Sequence, residues 1–322
     1  MTVLDFQARN TPIQRVDALA VELGLTPGRL WVKRDDRTGL NSGGNKARKL
    51  EYLVGDAVDQ DCDVLVTTGA AQSNHVSATA AAARASGMDC VAVLSTLGAQ
   101  HQAEGNLVLD DLFDVKVVWC HPNERQSQLA ATTAELAEQG RRPYPIPIGG
   151  TNALGASGYV TAAEEIVTVV PDSVVVCAVG TGGTQAGLTV GMGDHERVLG
   201  FDVAAIPDLD DTVPQVINDC AELLERPTPI GAWSVDRRQA REPYGKPTAA
   251  THEAIRLTAR TIGLVLDPVY TGRAMAGLIE RARNDDLPDA PIVFVHSGGM
   301  PALFTHSYQH WFSVPAELST GN

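Results

Sequence analysis

Apolar positions along the chain follow two periods. From Ala47 they fall at Ala47, Leu50, Leu53, Val54 and Ala57, the spacing of one buried helical face. Short β-rich runs alternate with such helical patterns along nearly the whole chain. "DVLVTT" leads through Gly69 into a helix over 75–86, stopped by Gly87, and "CVAVLS" and "VKVVWC" read as further strands. A helix over 126–139 ends before Gly140. A second series follows: "SVVVCAV", a helix after Thr184, "RVLGFDV", a helix over 213–224 and a strand at "IGAWSV". Helices over 248–262 and 271–284 come next, then the strand "PIVFVHS" running into a last helix. This alternation predicts an α/β protein with parallel-rich twisted sheets flanked by helices. At 322 residues the chain exceeds what one core usually holds, so two domains are expected. The polar stretch "PIGGTNALGASG" (147–158) is the best candidate for a crossing between them.

Charge narrows the function. A formal net charge of −14 opposes nucleic-acid binding, because a polyanion is repelled at long range. Yet Lys33, Arg34, Arg37, Lys46, Arg48 and Lys49 cluster in one segment that suits a small anion. The five cysteines (Cys62, Cys90, Cys120, Cys177 and Cys220) include no C-x-x-C pair and lie mostly in or beside apolar runs. That pattern fits reduced core thiols in a cytoplasmic protein. The start "MTVLDFQARNTPIQRV" lacks the blocks of a signal peptide, and no apolar run has membrane-spanning length. No metal site is expected.

Chemistry gathers where strands hand over to helices. Lys46 stands in "GLNSGGNKARKLEYL" at the start of a helix, where the helix dipole opposes positive charge. Either an anion sits there, or the amine is meant to lose its proton easily; a solvated lysine in a capping turn is the bland alternative. "VGTGGTQAG" (179–187) offers backbone N–H groups that cup a phosphate. Gln185 departs from the dinucleotide fingerprint, which Asp202 on the next strand keeps open, and no P-loop lysine follows the glycines. In "TTGAAQSNHVSA" (67–78), Gln72, Ser73, Asn74 and His75 suit a carboxylate, although Ser73 or Asn74 also reads as a helix cap. "LDPVYTGRAMAGL" places Tyr270 and Thr271 at a helix entrance, and "HSGGMPALF" adds a further glycine turn.

Together, "KRDDRTGLNSGGNKARKLEYL", "TGAAQSNH", "GNLVLDDLF", "IPIGGTNALGASGYV", "VGTGGTQAGL", "DPVYTGRAMAGL" and "VHSGGMPALF" resemble the pyridoxal-phosphate enzymes related to D-cysteine desulfhydrase and 1-aminocyclopropane-1-carboxylate deaminase. The resemblance covers almost the whole chain. It implies fold type II, that of the tryptophan synthase β-subunit, with pyridoxal 5′-phosphate between two domains. The large domain is expected over 1–49 and 160–322, and the small one over 50–159. By the family pattern Lys46 carries the cofactor. Lys49, with Gly180, Thr181, Gly182, Gly183 and Thr184, holds its phosphate, and Asn74 bonds its phenolic oxygen. Gln72, Ser73, Asn74 and His75 face the substrate, and Tyr244 and Tyr270 match active-site tyrosines.

Thr271 stands where the deaminase branch has a carboxylate against the pyridine nitrogen; Ser297 is the alternative neutral partner. A neutral partner leaves the ring a weaker electron sink, which favours β-elimination from a small amino acid, D-cysteine first, over opening a cyclopropane. The family also implies a homodimer. Ser77 and Ala78 replace the usual Arg-Gln after "QSNHV", a departure expected to reshape the substrate side and to remove a cation suited to a sulfonate. A non-catalytic carrier of the cofactor is the reading from another class; Ser73, Tyr244 and Tyr270 argue against it.

Overall fold

The computed structural model describes residues 2–96, 103–246, 248–309 and 311. The chain begins one sheet, builds another, and then returns to finish the first. It enters through β1 (Ile13–Arg15), α1 (Asp17–Glu22) and β2 (Leu30–Lys33), and continues into α2 (Lys46–Asp59). The second sheet is built in one run: β3 (Val64–Ala70), α3 (Asn74–Ala85), β4 (Asp89–Ser95), α4 (Asn106–Leu112), β5 (Lys116–Cys120), α5 (Arg125–Glu138) and β6 (Pro143–Ile146). The return passes through α6 (Ala153–Val169) to β7 (Val174–Val179), α7 (Gly183–Met192), β8 (Val198–Asp202) and α8 (Leu209–Leu223). α9 (Ala249–Ile262), α10 (Thr271–Arg283), β9 (Ile292–Val295) and α11 (His306–Gln309) complete the described chain.

The first sheet has the order β1-β2-β9-β7-β8, parallel except for β1 against β2. The second, β5-β4-β3-β6, is parallel throughout. Parallel strands buried on both faces need continuous apolar runs, which is what "VVVCAV" and "IVFV" supply. Val175, Cys177, Val293 and Val295 pack under α6, α7 and α8, while Val176, Phe201 and Phe294 face α1, α9 and α10. In the second sheet Leu65, Cys90 and Ile146 pack against Leu50 and Leu53 of α2 and the alanine face of α3. Each fully buried leucine contributes about 1.5–3 kcal/mol. Positions 50 and 160, expected as domain limits, fall inside α2 and α6, the two helices that lead between the sheets.

Two expectations about elements change. "IGAWSV" makes only isolated bridges, Asp194 to Ile230 and Phe201 to Asp236. The chain leaves the sheet between them at Gly231, whose φ is +84°. The last helix is a 3-10 turn (Met300–Phe304) followed by the four-residue α11. The stretch 147–158 is helical from Ala153, with the Asn152 side chain accepting from Gly155 N–H at 2.8 Å. Its small residues are there for close approach: a Cβ on Gly158 would lie 2.1 Å from the carbonyl oxygen of Arg48. So α6 and α2 pack almost backbone to backbone.

The far side of α2 is pinned by charge. Arg48, 1% exposed, donates to both carboxylate oxygens of Asp35 (2.8 and 2.9 Å) and to both of Glu165 on α6 (3.0 and 2.9 Å). Lys33 of β2 also pairs with Glu165, and the Tyr159 hydroxyl donates to Asp35 at 2.7 Å. Burial pushes the Asp35 carboxyl up, but Arg48 and Lys33 override it and hold it below the usual carboxylate range.

Candidate active site

A cavity of about 470 Å³ opens where both parallel sheets present the C-terminal ends of their strands. Its walls include Gly69 and Ala70 at the end of β3, Ser95 at the end of β4, Ala178 on β7, and Ser297 just beyond β9. This is the crevice in which α/β sheets bind ligands, and the volume suits a cofactor with a small substrate.

Lys46 is the first residue of α2, so its place is set by the loop before it. Asn45 N–H donates to the carbonyl oxygen of Ser297 at 3.1 Å, tying the 43–45 turn to the 297–299 turn. Asn45 Nδ2 also donates to the Thr184 hydroxyl at 2.9 Å. The ammonium of Lys46 has no hydrogen bond or ion pair with any described residue, and loss of surrounding water lowers its pKa to about 8. Lys49, one turn later, is 1% exposed and donates to the Gly149 carbonyl at 3.1 Å. Burial, with the charge of Lys46 beside it, pushes its pKa well down.

The glycine loop starts α7. Gly182 has φ +86°, and a Cβ there would lie 2.2 Å from a Val213 methyl; a Cβ on Gly183 would lie 2.6 Å from Lys49 Nζ. Backbone N–H groups and an ammonium therefore share one cradle, with the Thr151 and Thr181 hydroxyls 2.6 Å apart at its side. On the small sheet, Ser73 caps α3, accepting from Val76 N–H at 3.4 Å. Asn74 Oδ1 accepts from Asn106 Nδ2 at 2.7 Å, which leaves the Asn74 amide nitrogen as a donor. Opposite stand Tyr270, immediately before α10, and Tyr244, with their hydroxyls in hydrogen-bond contact and their rings edge to face at 6.0 Å. Burial raises the pKa of both phenols, so both stay protonated near neutrality.

The cavity wall thus gathers Lys46, Lys49, Gln72, Ser73, Asn74, His75, Gly180, Thr181, Gly182, Gly183, Thr184, Tyr244 and Tyr270. Thr271 is the exception. It is 0% exposed and off the wall; its hydroxyl donates to Asp267 Oδ1 at 2.6 Å and accepts from Asp267 N–H at 2.9 Å. Of the two hydroxyls expected against the pyridine nitrogen, Thr271 serves the turn into α10 and Ser297 lines the cavity.

Gln72 reaches the wall but spends its side-chain amide on the turn before α4, donating to the Glu104 carbonyl (3.0 Å) and accepting from Asn106 N–H (2.8 Å). His75 is buried, its Nε2 2.9 Å from the Thr67 hydroxyl, and burial with two nearby ammoniums keeps it neutral. Ser77 and Ala78, expected to reshape the substrate side, lie off the wall. Ser77 hydrogen-bonds Asn41 and Asn106, and Ala78 packs in the core. Sequence reasoning passed over Asn106, Arg125 and Gly149, whose roles depend on which loops meet.

A family model described as pyridoxal-phosphate dependent enzyme matches residues 4–298. The chain belongs to that family. Its cofactor is pyridoxal 5′-phosphate, and its architecture is that of the fold type II enzymes. Among its relatives, a D-cysteine desulfhydrase of Yersinia pestis (strain Pestoides F) is 41% identical over 320 residues, covering 95% of this chain and 96% of that one. A D-cysteine desulfhydrase of Serratia proteamaculans (strain 568) is 41% identical over 325 residues, with the same coverage. A solved ACC deaminase homologue superposes with a TM-score of 0.86 at 35% identity, over 94% of each chain.

The residues present fit a pyridoxal-phosphate-dependent enzyme. An unpartnered, easily deprotonated amine stands beside a cradle that a Cβ would fill, and Asn74 offers a spare amide donor. Gly182→Ala is expected to weaken cofactor binding by about tenfold or more, since the left-handed backbone alone costs about 1–2 kcal/mol in a non-glycine residue and the Val213 contact adds to it. Equilibrium dialysis against pyridoxal phosphate reads this out; unchanged affinity would show that the loop is not the phosphate cup.

Proposed function

We propose that the protein is a lyase that carries out β-elimination on a small amino acid, with D-cysteine as substrate and pyruvate, ammonia and sulfide as products. The observation that carries this reading is the composition of the wall: among its described residues there is no carboxylate, and the hydroxyl beside the 297–299 turn is Ser297. A neutral partner leaves the cofactor ring a modest electron sink, enough for prompt loss of a good leaving group. The desulfhydrase names of the near full-length relatives point the same way.

Pyridoxal phosphate, when bound, supplies the sink that makes an α-proton and then a β-substituent labile. The protein does the rest. Lys49 and the loop Gly180–Thr184 would hold the cofactor's phosphate, Lys46 would anchor the cofactor covalently, and the Asn74 amide, oriented by Asn106, would donate to it. Ser73 and the start of α3 receive the substrate carboxylate. The Lys46 amine, easily neutral, takes the α-proton. The paired Tyr244 and Tyr270 hydroxyls stay protonated and are placed to donate towards the departing group.

The family supports a homodimer, and five free cysteines suit a reducing compartment such as the cytoplasm. Among the described residues, no helix is long and apolar enough to cross a membrane, and no cluster of ligating side chains is placed to hold a metal.

The test is to supply D-cysteine, L-cysteine and 1-aminocyclopropane-1-carboxylate separately and to measure sulfide, ammonia and 2-oxo acid. Sulfide and pyruvate from D-cysteine are expected. 2-Oxobutyrate from the cyclopropane alone would assign the chain to the deaminase side instead.

A further inference from the structure

The protein carries a net charge of −14, yet the described wall of its cavity holds three lysine and arginine side chains, Lys46, Lys49 and Arg125, and no carboxylate. Lys49 belongs to the glycine-loop cradle and Lys46 to the cofactor. Arg125 is left over. Like Lys46, it is the first residue of a helix, α5, where the helix dipole disfavours positive charge. Its Nε donates to the Pro122 carbonyl at 3.2 Å, which steadies the guanidinium. Its two terminal amino groups make no hydrogen bond or ion pair with any described residue. Its charge acts on Tyr244, which lines the same cavity from the turn before α9. A steadied guanidinium with a free fork matches a carboxylate, sulfonate or phosphate in geometry as well as charge. The substrate's own α-carboxylate already has Ser73 and the start of α3.

We propose that Arg125 recognises the substrate's β-substituent, so that the site favours small amino acids whose β-group carries or develops negative charge. The class comprises carboxylates, sulfonates, phosphate esters and thiolates. The inference deepens the elimination reading and rests on it in one respect. When the Cβ–S bond of D-cysteine breaks, its electron pair stays on sulfur, the α-proton passes to Lys46, and sulfide leaves as an anion beside the guanidinium. Arg125 then holds the leaving group in line and steadies its charge as it departs.

Aspartate and asparagine test the point without any leaving group, since they share a shape and differ in one charge. Holoenzyme is titrated with each, as both enantiomers, by calorimetry and by the visible band of the cofactor. Within the bound enantiomer, wild type is expected to hold aspartate about tenfold tighter than asparagine, the scale of a charge-assisted hydrogen-bonded pair. In Arg125→Gln that ratio is expected to fall to about one, and in Arg125→Lys, which keeps the charge without the fork, to an intermediate value. Equal binding in wild type, or a ratio that survives in Arg125→Gln, overturns the proposal. If the Gln variant fails to load cofactor, a Lys variant with the full wild-type ratio does so instead.

D-Cysteine assays run in parallel separate the two readings. A charge preference lost with Arg125 but no sulfide upholds this inference and removes the elimination. Sulfide with an unaltered preference does the reverse.

Discussion

Lys46→Ala is expected to lower turnover by about 10³-fold or more, because one substitution removes both the anchor of the cofactor and the base for the α-proton. The variant should still take up cofactor through Lys49 and the loop at Gly180–Thr184, so failure to bind is not the expected cause. Borohydride treatment of wild type should fix pyridoxyl on the peptide that contains Lys46, and the variant should yield none. Retained turnover, or label on another lysine, would refute the assignment. The pH dependence is equally specific. The amine has its pKa lowered to about 8 by burial, so the neutral, reactive form becomes the majority above that pH. The rate of cofactor capture by the cofactor-free protein should therefore rise to a plateau a little above pH 8. An ordinary lysine would go on rising towards about pH 10.4.

Arg48→Met is expected to cost about 3–5 kcal/mol of stability, because it leaves the buried Asp35 carboxylate without its two-pronged partner and Glu165 with Lys33 alone. Chemical denaturation of wild type and variant measures it; a loss below about 1 kcal/mol would mean that the charges are dispensable there. The pH dependence has opposite signs in the two proteins. In wild type the Asp35 carboxyl lies below its usual range, so its contribution is present above the unfolded pKa, about 3.9, and is lost as pH falls through the folded value. Without Arg48, burial is the leading influence and the folded pKa rises. The favourable contribution is then present at acid pH and lost as pH rises through the folded value. The gap between the two proteins should be widest near neutrality and narrow towards pH 4.

The parallel sheets were legible because their strands are buried on both faces and must be apolar without interruption. The junction from β3 to α3 was legible for a local reason as well: Ser73 is a residue that a helix cap requires, and Gly69 leaves room for its side chain. α6 was not, since its first turns lie in the polar stretch of the crossing, and what Gly155 and Gly158 do depends on the backbone that crowds them. Thr271 misled for a related reason. A hydroxyl at a helix entrance looks the same in sequence whether it faces a cavity or a buried Asp267. Lys46 raised the right question through its position against a helix dipole, but Arg125, which stands in the same position on α5, lies in "HPNERQSQ" and reads as solvated surface. Neighbours distant in sequence decided these cases, and the family resemblance supplied the cofactor before any of them could be placed.

The pairing of β2 with β9 sets Leu30 beside Ile292. On a ribosome β2, paired only with the three-residue β1, therefore emerges long before β9, with a delay on the order of tens of seconds at about 5–20 residues per second. The second sheet, all of whose strands lie between Val64 and Ile146, is complete well inside that interval. Nascent chains should thus expose an orphaned apolar edge at β2 beside an already folded neighbour, which makes this enzyme a natural client for chaperones that act during synthesis.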